Sequence, residues 1–139
     1  MYQKILLAAD GSNHSIRATI EVVKIASLNG NAIVTIVSVA DYSQAKSDVL
    51  HSGSSIELDM KRRKKLFPVE EVLKKENINY LMEILHGVPG PAIVEYANKN
   101  KYELIVLGSR GLNTLQEMVL GSVSHKVVKR ANCPVLIVK

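Results

Sequence analysis

Continuous runs of aliphatic and β-branched residues alternate along the chain with segments whose apolar positions recur every three or four residues. The first run, residues 3–9, is closed by Asp10-Gly11-Ser12-Asn13, which carries turn and helix N-cap chemistry. Ile16, Ile20 and Val23 then recur at helical spacing, and Asn29-Gly30 supplies a stop signal. Residues 32–39 are nearly continuously apolar and β-branched, as in a strand covered on both faces. Residues 41–55 are polar and serine-rich, ending in Ser52-Gly53-Ser54-Ser55, and predict a loop. From Ile56 to Asn77 the pattern is helical around Pro68, which either kinks one helix or starts a second with Glu70 and Glu71 in its first turn.

A third, more polar strand is expected over residues 80–86. Val88-Pro89-Gly90-Pro91 then opens a helix that carries Ile93, Tyr96 and Ala97 inward. Residues 103–108 predict a fourth strand, whose core Leu104-Ile105-Val106-Leu107 suits a buried parallel strand. Val123, Val127, Val128 and Ala131 share one face of a following helix, and Pro134-Val135-Leu136-Ile137-Val138 makes a fifth strand. This alternation predicts an α/β fold: a parallel sheet with right-handed crossovers and helices on both faces.

Between the fourth strand and the last helix lies Gly108-Ser109-Arg110-Gly111, then nine residues, then Gly121-Ser122. In open α/β sheets ligands bind in the crevice outside the carboxyl ends of the strands. A helix N-terminus at that place offers free N–H groups and partial positive charge, both suited to phosphate. Glycines there let the backbone bend and approach a ligand closely, but ordinary turn and cap glycines have the same spacing. Ser122 suits either a cap or a phosphate contact, and Arg110 either a phosphate contact or a loop position.

Composition narrows the classes. The 139 residues, 47% of them apolar, are enough for one domain with a single core. No apolar run approaches the ~20 residues a membrane span needs. Five apolar residues before Asp10 are too few for a signal-peptide core, so a cytoplasmic location is expected. One cysteine, Cys133, excludes an internal disulfide, and burial rather than reactivity is expected of it. Lysine and arginine exceed the acids by 18 − 13 = +5, and Lys61 to Lys65 is an unbroken basic run. That run reads as a solvated helix face or, failing that, as a nucleic-acid or anionic-surface contact; no aromatic residues interleave it for base stacking. A P-loop, a dinucleotide Gly-x-Gly-x-x-Gly after the first strand and a Gly-x-Ser-x-Gly elbow are all absent. The four histidines lack zinc-ligand spacing.

Gly108-x-x-Gly111-x9-Gly121-Ser122 resembles the nucleotide-binding signature of the ATP-binding branch of the universal stress protein family. Ile5-Leu6-Leu7-Ala8-Ala9-Asp10-Gly11-Ser12 resembles that family's opening strand and turn, and Cys133-Pro134-Val135-Leu136-Ile137-Val138 its closing strand. The resemblance implies one domain over residues 1–139 with a Rossmann-like, adenine nucleotide alpha hydrolase-like open sheet of five parallel strands in the order 3-2-1-4-5. It also implies that Ala8, Ala9 and Asp10 lie near the adenosine, with Val39 on the adenine. The backbone of Gly108 and Gly111 would then lie against ribose and phosphates, with Leu107 also among the nucleotide-binding positions, while Gly121, Ser122, Val123 and Ser124 hold the phosphates and Arg110 adds charge. ATP, or another adenine nucleotide, is the implied ligand.

Asp10 could assist magnesium, which commonly takes one or two carboxylates plus phosphate oxygens, or serve as a turn and capping residue. The phosphate cradle comes without an obvious catalytic constellation, so slow turnover at most is expected. A slow ATPase or an autophosphorylating protein is the alternative. The apolar fifth strand, expected at a sheet edge, and the resemblance both imply a homodimer formed through it.

Overall fold

The computed structural model describes residues 2–40, 55–109 and 121–139. The chain forms strand β1 (Lys4–Ala8), helix α1 (Asn13–Ala26), strand β2 (Ile33–Ala40), helices α2 (Ser55–Lys65) and α3 (Phe67–Lys75), and strand β3 (Asn79–His86). Helix α4 (Pro89–Lys99), strand β4 (Leu104–Gly108), helix α5 (Ser122–Arg130) and strand β5 (Val135–Val138) follow. All strand pairings are parallel, in the order β3-β2-β1-β4-β5. The architecture and strand order are those expected from the sequence. No helix among the described residues is long and apolar enough to cross a membrane.

Alternation along the strands divides the core in two. Ile5 and Leu7 of β1, Val34 and Ile36 of β2, and Leu104 and Val106 of β4 meet Ala18, Val22 and Ala26 of α1 and Val69 and Leu73 of α3 on one face. Leu6, Val37, Ile105 and Leu107 meet Ile93, Val94 and Ala97 of α4 and Val127 of α5 on the other. Successive strand residues point to opposite faces, so both sets must be apolar. The central strands therefore read as unbroken apolar runs. β3 lies at one edge and alternates exposed with half-buried residues. β5 lies at the other and is half-buried throughout.

Pro68 starts a second helix. Leu66 is the N-cap of α3 and is fully buried, and the proline occupies the first turn, where its missing N–H has no helical partner to lose. Tyr80 of β3 donates to Glu70 Oε1 at 2.9 Å and so fastens α3 to the sheet; burial, then that carboxylate, pushes its phenol up to about 12. The expected loop at 41–55 falls, apart from Ser55, outside the described residues; Ser55 opens α2.

Two helix faces depart from the expected pattern. α1 buries Ser15, Ala18, Thr19, Val22 and Ala26, whereas Ile20 is 46% exposed and Ile16 and Val23 only border the core. Small residues let α1 lie close to the sheet, and the Thr19 hydroxyl is satisfied by donating to the Ser15 carbonyl at 2.7 Å. On α5, Val128 likewise faces outward while Ser124 and Val127 are buried. Val22→Ala is accordingly expected to cost about 2–3 kcal/mol, and Ile20→Ala to stay within about 0.5 kcal/mol of wild type. Urea denaturation of the two variants measures this directly, and equal losses would contradict the observed face.

Candidate functional site

β1 and β4 are neighbours, yet the chain leaves their carboxyl ends toward opposite faces of the sheet. α1 follows β1 on the α1/α3 face, and α5 follows β4 on the α4/α5 face. This is the topological switch point at which a crevice opens in such sheets. Ala8 ends β1, paired with Val37 on one side and Leu107 on the other. The amide of Ala9 still bonds to the Val37 carbonyl, at 2.9 Å, before the chain turns.

The turn is held by a tight polar network. Asp10 Oδ1 accepts from the Ser12 amide at 2.9 Å and the Ser15 hydroxyl at 2.8 Å, while the Asp10 amide donates to Ser15 Oγ at 2.9 Å. Ser12 caps α1 by accepting from the Ser15 amide. Gly11 between them has φ +84°, and a Cβ there would come within 2.7 Å of the Lys65 carbonyl oxygen at the end of α2. Asp10 is thus a turn residue of the folded chain, which holds the capping Ser12 in place, and one of its oxygens accepts two hydrogen bonds.

Gly108, at the end of β4, has a different reason to be glycine from the one its place in the signature suggests. A Cβ on it would lie 2.6 Å from the His14 Cβ and 3.1 Å from the His14 carbonyl carbon, so the missing side chain makes room for the first turn of α1. From the other face, the buried Ser124 hydroxyl donates to the Gly108 carbonyl at 2.9 Å. The Gly121 amide donates to the Ser109 carbonyl at 2.9 Å, and the Ser109 amide to Val138 of β5 at 2.8 Å. These bonds bring the start of α5 directly to the end of β4.

Gly121 is the N-cap of α5, in an extended conformation, so Ser122 is the first helical residue and not its cap. The amides of Ser122, Val123 and Ser124 form the first turn, which has no helical acceptors of its own. Ser122 is exposed, Val123 half-buried and Ser124 buried. Of the residues expected at the site, Ala8, Ala9, Asp10, Gly108, Gly121, Ser122, Val123 and Ser124 lie at the carboxyl ends of β1 and β4 or in the turns and helix that leave them. Val39 lies two residues beyond Val37, at the same end of β2, and packs with Leu107 in the α4/α5 half of the core. Leu107 is only 4% exposed and acts as a core residue. Arg110 and Gly111 lie outside the described residues.

The basic run stands beside this end of the sheet. The Arg62 guanidinium donates to the buried Ser38 hydroxyl, next to Val39, at 3.3 Å, while Lys61, Arg63, Lys64 and Lys65 are exposed. Among the described residues no group of three or more His, Cys, Asp or Glu side chains could hold a metal ion. Burial pushes the Cys133 thiol up, away from nucleophilic reactivity. A polar cavity of about 250 Å³ lies at the opposite, amino end of β2 and β3, lined by Ser27, Asn29, Gly30 and the 76–79 segment, and no expected site residue among the described ones lines it.

The model of the universal stress protein family matches residues 1–139. Universal stress protein MJ0531 of Methanocaldococcus jannaschii is 36% identical over an alignment covering all of this chain and 83% of that protein. The solved structure of MJ0577, from the same organism, superposes with a TM-score of 0.87 at 29% identity, covering 100% of this chain and 96% of that one. A universal stress protein solved in complex with cAMP gives a TM-score of 0.72 at 28% identity, covering 99% of this chain and 96% of that one.

The close approach at Gly108 can be tested through stability. Gly108→Ala must displace the start of α1 and is expected to cost about 1–3 kcal/mol. Thermal unfolding with no added ligand measures this, and an unchanged midpoint would contradict the contact.

Proposed function

Because the chain belongs to the universal stress protein family, we propose that it is a regulatory protein of one domain that binds ATP across the carboxyl ends of β1, β2 and β4. The observation that carries this reading is the start of α5, whose first-turn amides lie against the end of β4 at the switch point. Phosphate is the ligand best matched to such a helix terminus. The relative solved with cAMP supports an adenine nucleotide as the class.

In this reading Ala8, Ala9 and Asp10 border the adenosine, and Val39 at the end of β2 lies against the adenine. Leu107 backs the ribose from within the core. Gly108 and Gly111 run beside ribose and phosphates, with Arg110 adding charge. Gly121, Ser122, Val123 and Ser124 hold the phosphates through backbone N–H groups. Ser124 takes part by its amide, since its hydroxyl is committed to the Gly108 carbonyl. Magnesium fits as a companion of the nucleotide, held by phosphate oxygens with Asp10 as its one carboxylate.

Regulation is favoured over catalysis by the chemistry of the cradle. Phosphoryl transfer needs an oriented nucleophile and charge stabilisation at the γ-phosphate. Among the described residues, the side-chain atoms closest to the strand ends already serve the fold: Asp10 Oδ1 accepts from Ser12 and Ser15, and the Ser124 hydroxyl donates to Gly108. Occupancy of the site is therefore the signal, and slow hydrolysis its upper limit.

Gly121→Asp separates binding from folding. Gly121 sits at the N-cap with φ −60° and ψ 153°, a conformation open to any residue, and aspartate is a preferred cap. Its carboxylate would occupy the same amides that hold phosphate and would repel the ligand. Unchanged or slightly raised thermal stability is expected, with ATP affinity by calorimetry falling at least tenfold. Wild type purified without added nucleotide should release an adenine nucleotide on denaturation, identified by mass. Wild type that binds no adenine nucleotide would overturn the reading.

The same proposal includes a homodimer through β5. Val135 to Val138 form a sheet edge in which every residue is half-buried, and pairing with a second copy would satisfy the free edge. Sedimentation equilibrium should give twice the chain mass. A concentration-independent monomer, with and without ATP, would remove the dimer and leave the binding site untouched.

A further inference from the structure

The basic run of α2 has no explanation in helix stability. Lys61 to Lys65 place five cations in succession at the end of the helix, and Lys61, Arg63, Lys64 and Lys65 are exposed. Cations at a helix C-terminus offset a macrodipole of about half a charge, for which one or two are enough. Lys61 stands three and four residues from Lys64 and Lys65, and like charges at that spacing oppose helix formation. The two acids of α2, Glu57 and Asp59, precede the run, so the helix carries a surplus of cations whichever pairs form.

The backbone fixes where this charge stands. A Cβ on Gly11, in the turn that follows β1, would lie 2.7 Å from the Lys65 carbonyl oxygen and 3.3 Å from the Lys65 Cβ. Arg62 reaches the Ser38 hydroxyl, next to Val39, at 3.3 Å. At a rise of 1.5 Å per residue, the Lys61 backbone is only about 6 Å farther along the helix than that of Lys65. The backbone of the whole run therefore lies within about one Debye length of the turn after β1, ~8 Å at physiological salt and ~30 Å at 0.01 M. Charges at that range act through the field they sum to and need no contact.

We propose that α2 is an electrostatic steering element: its exposed cations draw anionic nucleotides to the carboxyl ends of β1 and β2 and raise their association rate, favouring triphosphate over monophosphate and both over the uncharged nucleoside. This rests on the nucleotide reading above, and adds to it residues that touch no ligand. It also accounts for the exposure of the run, since a steering charge acts from a solvated position. Discrimination by phosphate number then begins at encounter, before the amides of α5 are reached.

Stopped-flow association of ATP, AMP and adenosine tests this on wild type and two triple variants. Lys61→Gln/Arg63→Gln/Lys64→Gln removes three charges from α2. Lys74→Gln/Lys75→Gln/Lys99→Gln removes as many from exposed positions at the ends of α3 and α4, which lead into the amino ends of β3 and β4. Glutamine keeps helix propensity and every substituted position is exposed, so thermal midpoints close to wild type are expected. At about 10 mM salt the α2 variant should associate with ATP about 3- to 10-fold more slowly than wild type, with AMP by a smaller factor, and with adenosine unchanged within about 1.5-fold. Dissociation rates should hold within about twofold, and the ATP difference should fall below about twofold at about 0.5 M salt. The control variant should slow ATP by less than about twofold at either salt. Equal slowing in the two variants would assign the effect to net charge and overturn the proposal. No slowing at all, or a loss confined to dissociation as a direct contact would give, would overturn it too. Should the α2 variant fail to fold, Lys61→Gln and Lys64→Gln tested singly must each slow ATP more than Lys74→Gln does, and equal rates overturn the proposal. Wild type that binds neither ATP nor adenosine removes the nucleotide reading, and steering with it.

Discussion

The contact on which the rest of the arrangement depends is the one at Gly108. The first turn of α1 presses on it from one face of the sheet, and the Ser124 hydroxyl of α5 bonds to its carbonyl from the other. A side chain there would push α1 away from the strand end. The bond from α5 goes to the backbone carbonyl, so the missing Cβ is what lets α1 start beside the same residue. The start of α5 is thus held at the switch point by a packing constraint. The phosphate chemistry proposed for this end of the sheet follows from which helix end that constraint brings in.

The same logic explains the composition of α1. Its buried face of Ser15, Ala18, Thr19, Val22 and Ala26 is small, which allows the helix axis to sit close over β1 and β4. A helix carrying Ile20 inward would stand farther off and would take His14 away from Gly108. Ser15 sits at the junction of the two demands. It is a small packing residue on the helix, and its hydroxyl accepts from the Asp10 amide while donating to the Asp10 carboxylate. The polar turn and the apolar face are therefore fixed by the same residue.

Much of this was legible in the sequence. The central strands show as runs such as Ile33 to Val39 because both sheet faces are covered, and Pro68 marks the boundary of α3 because proline suits a first turn. Gly108, Gly121 and Asp10 mark the turns between strands and helices at this end of the sheet. The inward face of α1 was harder to read, because Ile16, Ile20 and Val23 outweigh smaller residues in any hydrophobic pattern, while packing distance selected Ala18 and Thr19. The reason for Gly108 was hidden for a related cause. Its excluding neighbour, His14, is remote in the chain, and only the fold brings the two together. His14 itself carries no spacing signal, because a lone histidine in a first turn differs from a solvated one only in what surrounds it.

The basic run shows how a charge pattern and a packing requirement can coincide. Taken alone, Lys61 to Lys65 is a solvated helix face, and four of the five residues are exposed. Arg62 is the exception, turned under α2 to the Ser38 hydroxyl, while Asp59 of the same helix pairs with His86 at 3.1 Å. The helix ends with the Lys65 carbonyl oxygen close over Gly11, whose positive φ and missing Cβ make that approach possible. α2 is therefore seated on β2, β3 and the turn after β1 together, at the end of the sheet where the crevice lies. Its exposed cations stand there because their backbone is anchored there. Surface charge of this kind is weak as a source of stability, so the position of the run is set by Arg62, Leu66 and Gly11, and its field at the crevice is a consequence of that seat.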